Sequence, residues 1–188
     1  MLLFAGLGNP DPKHANNRHN VGFKLIDALN KNFGLSKQKP KFKGLLTNGQ
    51  VQDNKVIVVK PLTFMNNSGM CIREITDYHR IKTNNIFVFH DDMDIEIGKI
   101  KTKIGGTSGG HNGIKSIDDS IGTDYNRIRI GIGHPGDKEL VDKHVLNDFT
   151  EEEKIIIDQV IKKIFKNINL LIEKKLDDFT SKSINKSI

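Results

Sequence analysis

Short apolar runs that end in glycine and polar residues constrain the fold of this chain more than any other feature of its sequence. Residues 2–7 and 86–89 are continuous runs without polar side chains, as expected of strands buried on both faces of a parallel sheet. Between such runs, apolar residues recur at near-helical spacing, for example over residues 21–33. Strands that alternate with helices predict an α/β fold. We therefore expect a single-domain three-layer sandwich, in which a mixed, mostly parallel central sheet is flanked by helices.

Turn and capping signals place the other elements. Asp53-Asn54 separates two short apolar runs and predicts a hairpin. Thr150 lies three residues ahead of Glu153 and predicts a capped helix start. We expect one catalytic domain over residues 1–188, with a frayed polar tail from about 177 to 188. The predicted strands are residues 2–7, 43–51, 55–60, 86–89, 99–104 and 127–132, and the predicted helices are residues 21–33, 68–80, 111–121 and 151–175.

The charge of the chain bears on its partners. The formal net charge is +6 and the pI is about 9.3, which suits a phosphate-rich partner such as nucleic acid but also a solvated surface with a lysine bias. Cys71 is the only cysteine, which excludes an internal disulfide, and its apolar neighbours favour a packing role over catalysis. No apolar run approaches the roughly 20 residues that a membrane span needs. We therefore expect a cytoplasmic protein with no membrane partner.

His19 and Asp91 are the first candidates for catalysis. Asp91 follows the apolar run 86–89 and is expected at a strand end, while His19 directly precedes the first predicted helix. A carboxylate that accepts a hydrogen bond from one ring nitrogen of a histidine fixes the tautomer of the ring. The other nitrogen is then free to take a proton from water. Such a general base contributes roughly 10²–10⁴-fold in rate. The sequence does not show whether the two side chains meet, and a structural role for His19 stays open.

Three asparagines in glycine-flanked loops are the candidate amide donors. Asn9, Asn66 and Asn112 each carry two donors and one acceptor. At the mouth of a site such amides orient water, hold a carbonyl or stabilise an oxyanion. Asparagine is also common in turns beside glycine, which is the alternative interpretation.

Other motifs suggest different chemistry. Asp91, Asp92 and Asp94 are potential Mg²⁺ ligands, although the rest of a calcium-binding loop is missing. Gly6-Leu7-Gly8 begins like a dinucleotide fingerprint, but its third glycine is absent and prolines follow. Gly106 to Gly110 fits G-x-S-x-G around Ser108, the nucleophile elbow of serine hydrolases. The order of that triad would be completed by Asp137 and His144.

Basic residues alternate on two predicted strands. Side chains two residues apart on a strand point to the same face, so each set forms a stripe. A basic stripe can hold phosphates, or it can simply face solvent. If the stripes were the whole function, the protein would be a non-catalytic RNA-binding module. The two sets are Lys99, Lys101 and Lys103 on one strand, and Arg127 and Arg129 on the other.

Several of these motifs occur in a fixed order between residue 3 and about residue 149. They are Gly6-Leu7-Gly8-Asn9-Pro10, Arg18-His19-Asn20-Val21-Gly22, Pro61 to Asn66 with Ser68-Gly69, His90-Asp91, Gly109-Gly110-His111-Asn112-Gly113, and Arg129 to Pro135. Together they resemble the bacterial peptidyl-tRNA hydrolases. The resemblance implies a cytoplasmic, monomeric α/β enzyme without metal or cofactor. Its substrate would be peptidyl-tRNA, bound at the acceptor stem and 3′ end and cleaved at the peptide ester.

The resemblance also implies roles for individual residues. His19 would accept the proton, Asp91 would stabilise its basic form, and Asn9 would help to distinguish a blocked from a free amino group. His14 stands where the family usually has tyrosine, and it would contact the tRNA end. The other implied contacts to the tRNA end and the peptide backbone are Phe64, Asn66 and Asn112, with the last two also positioning the carbonyl or oxyanion. The implied clamp on the tRNA 5′ phosphate is Lys101, Lys103 and Arg129.

Overall fold

The computed structural model describes residues 1–184, and within them seven strands form one sheet. Their order across the sheet is β2-β3-β4-β1-β5-β7-β6. The strands are β1 (Leu2–Gly6), β2 (Lys39–Lys41), β3 (Gly44–Val51), β4 (Asn54–Pro61), β5 (Ile86–Asp92), β6 (Ile100–Ile104) and β7 (Asn126–Gly131).

The centre of the sheet is parallel. Strand β1 pairs in parallel with β4 and β5, and β5 pairs in parallel with β7. The outer pairs β2–β3, β3–β4 and β6–β7 are antiparallel, so the sheet is mixed, as predicted. The carboxyl ends of β1, β4, β5 and β7 meet at one edge. In an open α/β sheet that edge is where a site forms.

Helices cover both faces of the sheet. Side chains alternate along each strand, so Phe4 joins one core and Leu3 the other. The core with Phe4 is covered by α1, α5, α6 and α7, and the core with Leu3 is covered by α2 and α3. The helices are α1 (Val21–Asn32), α2 (Ser68–His79), α3 (Asn112–Ile121), α4 (Val141–Leu146), α5 (Glu151–Lys166), α6 (Ile168–Ile172) and α7 (Leu176–Ile184). This arrangement confirms the predicted three-layer α/β architecture. Among the described residues, no helix has the length and apolar character that crossing a bilayer requires.

Two local predictions need adjustment. The hairpin turn is formed by Gln52 and Asp53, which have φ of 45° and 63°, so it starts one residue earlier than predicted. The capping box at Thr150 and Glu153 is present, which confirms the start of α5. The predicted helix 151–175 is interrupted at Asn167, whose φ of −110° ends α5 before the short helix α6 begins.

The C-terminal segment was predicted wrongly where the structure describes it. Residues 176–184 form α7 rather than a frayed tail, and Phe179 is fully buried. The Thr180 hydroxyl lies 2.9 Å from the Thr102 hydroxyl, so this helix packs against β6. Phe179 and the partly buried Leu176 anchor this otherwise polar segment on the core. Residues 185–188 of the predicted tail lie outside the described residues.

Candidate active site

His19 is held at the sheet edge by its neighbours in the chain. It lies in the 3₁₀ turn Arg18–Asn20 that leads into α1. A Cβ on Gly22 would lie 2.4 Å from the Leu7 nitrogen, so glycine is what allows the first turn of α1 to pack against the end of β1. The Arg18 guanidinium pairs with Glu153 at 2.6 Å and ties the turn to α5. The segment that carries His19 is therefore fixed from both sides.

Asp91 lies between two imidazoles. Both of its carboxylate oxygens are 2.9 Å from His19 Nδ1, and Oδ1 is also 3.0 Å from His111 Nε2. All three side chains are largely shielded from water. The contact between His19 and Asp91 that the sequence left open is thus present. His111 was missed as a partner of Asp91, because nothing in the sequence relates a loop histidine to a strand end 20 residues away.

The hydrogen bonds determine the tautomers of these rings. His111 Nδ1 accepts the backbone N–H groups of Gly113 and Ile114 at 3.1 and 3.2 Å, since it caps the start of α3. Its Nε2 therefore carries the proton and donates to Asp91. His19 Nδ1 likewise donates to Asp91, which leaves His19 Nε2 as the acceptor nitrogen of the ring.

The buried carboxylate stays ionised. Burial by itself would raise the pKa of Asp91, but the charges and hydrogen bonds of His19 and His111 outweigh it and hold that pKa well below 3.8. For His19 the balance favours the imidazolium. Burial disfavours the charged ring, yet the charge and hydrogen bond of Asp91 prevail, so the pKa of His19 is raised above 6.5. The raised pKa makes His19 a stronger base than a free imidazole, and the ionised Asp91 stabilises the ring when it is protonated.

His90 contacts the backbone of Asp91 rather than its carboxylate. Its Nδ1–H donates to the Asp91 backbone carbonyl at 2.7 Å. Burial, together with the nearby His111, lowers the pKa of His90 to about 3, so its ring is neutral. A neutral ring adds no positive charge beside the Asp91–His19 pair.

These groups open into a cavity of about 510 Å³. Six of the seven residues to which the resemblance assigns catalysis or contact with the substrate end line it, as do Asp92, Asp94 and Ser108 of the alternative motifs. Five others were not anticipated: Met93 and four residues of α4. Helix α4 has too few apolar residues for its sequence periodicity to reveal it. The anticipated residues are Asn9, His19, Phe64, Asn66, Asp91 and Asn112, and the others are Met93, Val141, Asp142, Val145 and Leu146.

The loop with Phe64 is strained. The Phe64 backbone has φ 55° and ψ 160°, a region that residues with side chains rarely adopt, and its ring is 55% exposed at the cavity. Asn66 and Asn112 are exposed at the same cavity. Their amides are therefore accessible to a bound substrate.

A second cavity of about 190 Å³ adjoins the first and is lined by three cationic side chains together with Asp92 and Asp94. Lys103 and Arg129 line it, and Arg129 Nε also donates to Asp92 at 2.7 Å. Lys101 is exposed opposite Arg129 on β6 but is not among the lining residues. Arg127 also borders the cavity, but it is buried and bound to Asp118 and to loop carbonyls, so this arginine is a structural residue rather than part of a solvent-facing stripe.

His14 lies apart from the residues that line either cavity. Its Nδ1 is 2.6 Å from Asn17 Oδ1, and Asn17 in turn donates to Asp148 at 2.7 Å. In this structure His14 therefore stabilises the loop ahead of His19. Its contact with the tRNA end stays a prediction.

The alternative chemistries find less support. Ser108 lines both cavities, but His144 Nε2 is bonded to the Ile132 carbonyl and Asp137 caps a 3₁₀ turn. Among the described residues, neither makes a hydrogen bond to Ser108. The Gly6-Leu7-Gly8 turn leads into a 3₁₀ segment rather than the helix of a dinucleotide site.

Metal and thiol chemistry can be judged in the same way. The ligand atoms of His19, Asp91 and His111 lie within 4.8 Å of one another, so they are the group of described residues that could hold an ion. In the structure these atoms hydrogen-bond to one another: His19 Nδ1 and His111 Nε2 both contact the Asp91 carboxylate. Burial raises the pKa of Cys71 to about 12, so this thiol stays protonated, in line with its predicted packing role.

The comparisons with known proteins agree with this geometry. The family model described as peptidyl-tRNA hydrolase matches residues 3–188. A peptidyl-tRNA hydrolase of Pelagibacter ubique is 61% identical over 186 residues, which cover 99% of this chain and 100% of that protein. One from Rickettsia bellii is 45% identical over 185 residues, covering 98% and 100%. The crystal structure of peptidyl-tRNA hydrolase from Acinetobacter baumannii superposes with a TM-score of 0.91 at 35% identity, covering 97% of this chain and 94% of that one. The resemblance recognised in the sequence is confirmed, and this chain belongs to the peptidyl-tRNA hydrolase family of carboxylic ester hydrolases.

Proposed function

We propose that this chain hydrolyses the ester bond between a peptide, or an N-blocked amino acid, and the 3′ ribose of tRNA, with His19 as general base. The single observation that carries the proposal is the arrangement of His19 and His111 on the buried Asp91 carboxylate at the wall of the larger cavity. Because every group of this site comes from one chain, a monomer would suffice. A tRNA substrate would place the activity in the cytoplasm, where translation occurs.

In this mechanism His19 Nε2 accepts a proton from a water molecule as the water attacks the ester carbonyl. Asp91 stabilises the imidazolium that forms and stays ionised itself. The imidazolium then returns the proton to the departing 3′ oxygen of the ribose, which completes the cleavage. Each step moves a proton through one nitrogen, and no step requires a metal.

Amide donors would stabilise the negative charge that develops on the carbonyl oxygen. Asn66 and Asn112 line the same cavity as His19. Preorganised donors of this kind are among the largest contributors to acyl-transfer catalysis. The exposed Phe64 ring offers a stacking surface for a base or sugar at the tRNA end.

The smaller cavity would receive the tRNA 5′ phosphate. Lys103 and Arg129 supply its cationic lining, and Asp92 and Ser108 border both cavities. The two cavities adjoin, so the 5′ phosphate and the single-stranded 3′ end of one tRNA would contact the same face of the protein. Exposed Lys101 lies beside this cavity, where it would contact the backbone.

Turnover is the direct test of this proposal. The purified protein should release free tRNA from N-acetyl-aminoacyl-tRNA at a rate that depends on protein concentration. Binding without release would instead support the non-catalytic RNA-binding alternative.

The pH dependence of kcat/KM should report the His19–Asp91 pair. Only the neutral imidazole accepts a proton from water, so activity should fall as the pH drops through the pKa of His19. That pKa is raised above 6.5, so the acid limb should lie above pH 6.5. In Asp91→Asn the burial of His19 remains without the opposing charge, and the limb of the residual activity should move to lower pH. A parent profile whose acid limb lies well below pH 6.5 would contradict this assignment.

Salt dependence should reveal the phosphate contact. Each cation that neutralises a phosphate releases counterions, so log K should fall linearly with log salt concentration. Lys103→Ala should reduce the magnitude of that slope by somewhat under about one unit. The measurement is binding of N-acetyl-aminoacyl-tRNA to the protein with the slowly hydrolysing His19→Ala substitution. Lys55→Ala is the matched control, because it removes the same charge. Lys55 is exposed at the amino-terminal end of β4, whereas the cavities lie at the carboxyl ends of the parallel strands. Equal slopes in the Lys103 variant and the parent would assign Lys103 to the solvated surface.

A further inference from the structure

Asn20 makes a buried, reciprocal contact that the proposed mechanism does not use. Its side chain is 2% exposed. Its Nδ2 donates to the Asn9 carbonyl at 2.9 Å, and its Oδ1 accepts the Asn9 N–H at 2.8 Å. The two hydrogen bonds occupy both main-chain polar groups of Asn9. They fix the loop after β1 against the turn that carries His19.

The Met65 backbone N–H sets the orientation of the Asn9 carboxamide, and the clamp from Asn20 holds Asn9 where this contact forms. Asn9 Oδ1 accepts the backbone N–H of Met65 at 2.9 Å. That N–H can only donate, so the opposite orientation of the amide would place donors against a donor. The oxygen is therefore occupied and the Nδ2 group remains. Within residues 1–184 this Nδ2 makes no side-chain hydrogen bond to protein, and Asn9 lines the larger cavity.

We propose that Asn20 is a positioning residue for substrate selection: by holding the main chain of Asn9, it keeps the Asn9 carboxamide turned so that only N–H donors face the acyl end of the substrate. The inference rests on the proposed function. It adds to it a physical reason for preferring a blocked amino group, and it names a residue outside the reacting groups that enforces the preference.

The chemistry of the two substrate classes explains the preference. A peptidyl or N-acetyl substrate brings an amide carbonyl, which accepts the donors of Asn9. A free aminoacyl end brings an α-ammonium, which has donors only and would leave Asn9 unpaired. Acidic residues of the cavity, Asp94 and Asp142 among them, would attract an ammonium by charge. Charge alone therefore does not reject the free amino acid, whereas hydrogen-bonding polarity does.

Asn20→Asp is the first test, because it changes one donor and little volume. The variant keeps an acceptor for the Asn9 N–H but places an oxygen against the Asn9 carbonyl, which should loosen the clamp. We expect the ratio of kcat/KM for N-acetyl-aminoacyl-tRNA to that for the same free aminoacyl-tRNA to fall at least about tenfold. Both rates are compared at the plateau of the pH profile, because a carboxylate at position 20 lies next to His19 and should raise its pKa. Asn48→Asp is the matched control: Asn48 is exposed on β3, and its variant should keep the parent ratio.

Asn9→Asp tests the polarity of the Asn9 carboxamide itself and leaves Asn20 unchanged. One oxygen can still accept the Met65 N–H, while the second replaces the donor that faces the cavity. We expect the preference to shift toward free aminoacyl-tRNA. If Asn20→Asp did not fold, Asn20→Ala, which removes both contacts to the Asn9 main chain, would be compared on the same two substrates. Equal losses on both substrates in the folded variants would overturn the inference and assign Asn20 a purely structural role. If the parent itself failed to hydrolyse the N-acetyl substrate, the proposed function would fail instead.

Discussion

Replacing His19 with alanine should reduce kcat/KM for N-acetyl-aminoacyl-tRNA by roughly 10²–10⁴-fold, the contribution of a positioned general base. The loss should appear in kcat, because His19 is needed when water attacks and the tRNA contacts are made elsewhere in the two cavities. The measurement is steady-state release of tRNA, with binding of the intact substrate followed separately. Binding should change little.

Ser108→Ala is the informative comparison for this experiment. Ser108 borders the same cavity as His19, so both variants remove a polar group from the site. If His19 is the base, the serine variant should keep most of its activity. The opposite pattern, with Ser108 essential and His19 dispensable, would establish the serine-esterase alternative despite the other partners of His144 and Asp137.

Asp91→Asn should lower kcat by up to roughly 10⁴-fold, as expected when a histidine loses the carboxylate that sets its tautomer. Two imidazole N–H groups, from His19 and His111, point at the Asp91 carboxylate. An amide offers one acceptor oxygen and one NH₂ group, so it cannot accept both without placing donors against each other. Because His111 is locked by the start of α3, His19 is the ring expected to change. Its proton would move to Nε2, and the base would be lost.

Asp119→Asn controls for the change of charge in that experiment. Asp119 is exposed on α3 and lines neither cavity, so its replacement removes the same charge outside the site. Its variant should keep the activity of the parent. A kcat for Asp91→Asn within a few-fold of the parent would contradict the proposed role of Asp91, provided that circular dichroism and thermal unfolding show the variant to be folded.

Local sequence patterns predicted much of the secondary structure. Apolar runs marked β1 and the start of β5, helical spacing marked α1, and the pair Thr150 and Glu153 marked the start of α5. These signals act over a few residues, because strand alternation, helical periodicity and capping are short-range effects. Elements with weak local signals were missed. Helix α4 has little apolar periodicity, and α7 depends on the burial of Phe179.

For the candidate site too, local patterns indicate which residue types are present but not which side chains meet. Residue type and motif order identified His19, Asp91 and the asparagines, but not the contacts among them. Arg127 and Arg129 look equivalent in the sequence, two residues apart on one strand. In the structure both border the smaller cavity, but Arg127 is buried under the glycine loop against Asp118, whereas Arg129, paired with Asp92, is partly exposed. Position in the fold, not residue type, separates the buried arginine from the one that is accessible at the cavity.

The amino-acid sequence alone determined the α/β class, the family and the chemical groups available for catalysis, because these follow from local periodicity and ordered motifs. Only the tertiary structure decided that His19 and Asp91, 72 residues apart, meet within hydrogen-bonding distance. The same holds for the contact of His111 with Asp91 and for the contact of Asn20 with Asn9. Those contacts depend on the parallel pairing of β1 with β5 and on the packing of α1 and α3 at one edge of the sheet. Strand order is a property of the folded chain as a whole, so no local pattern encodes it.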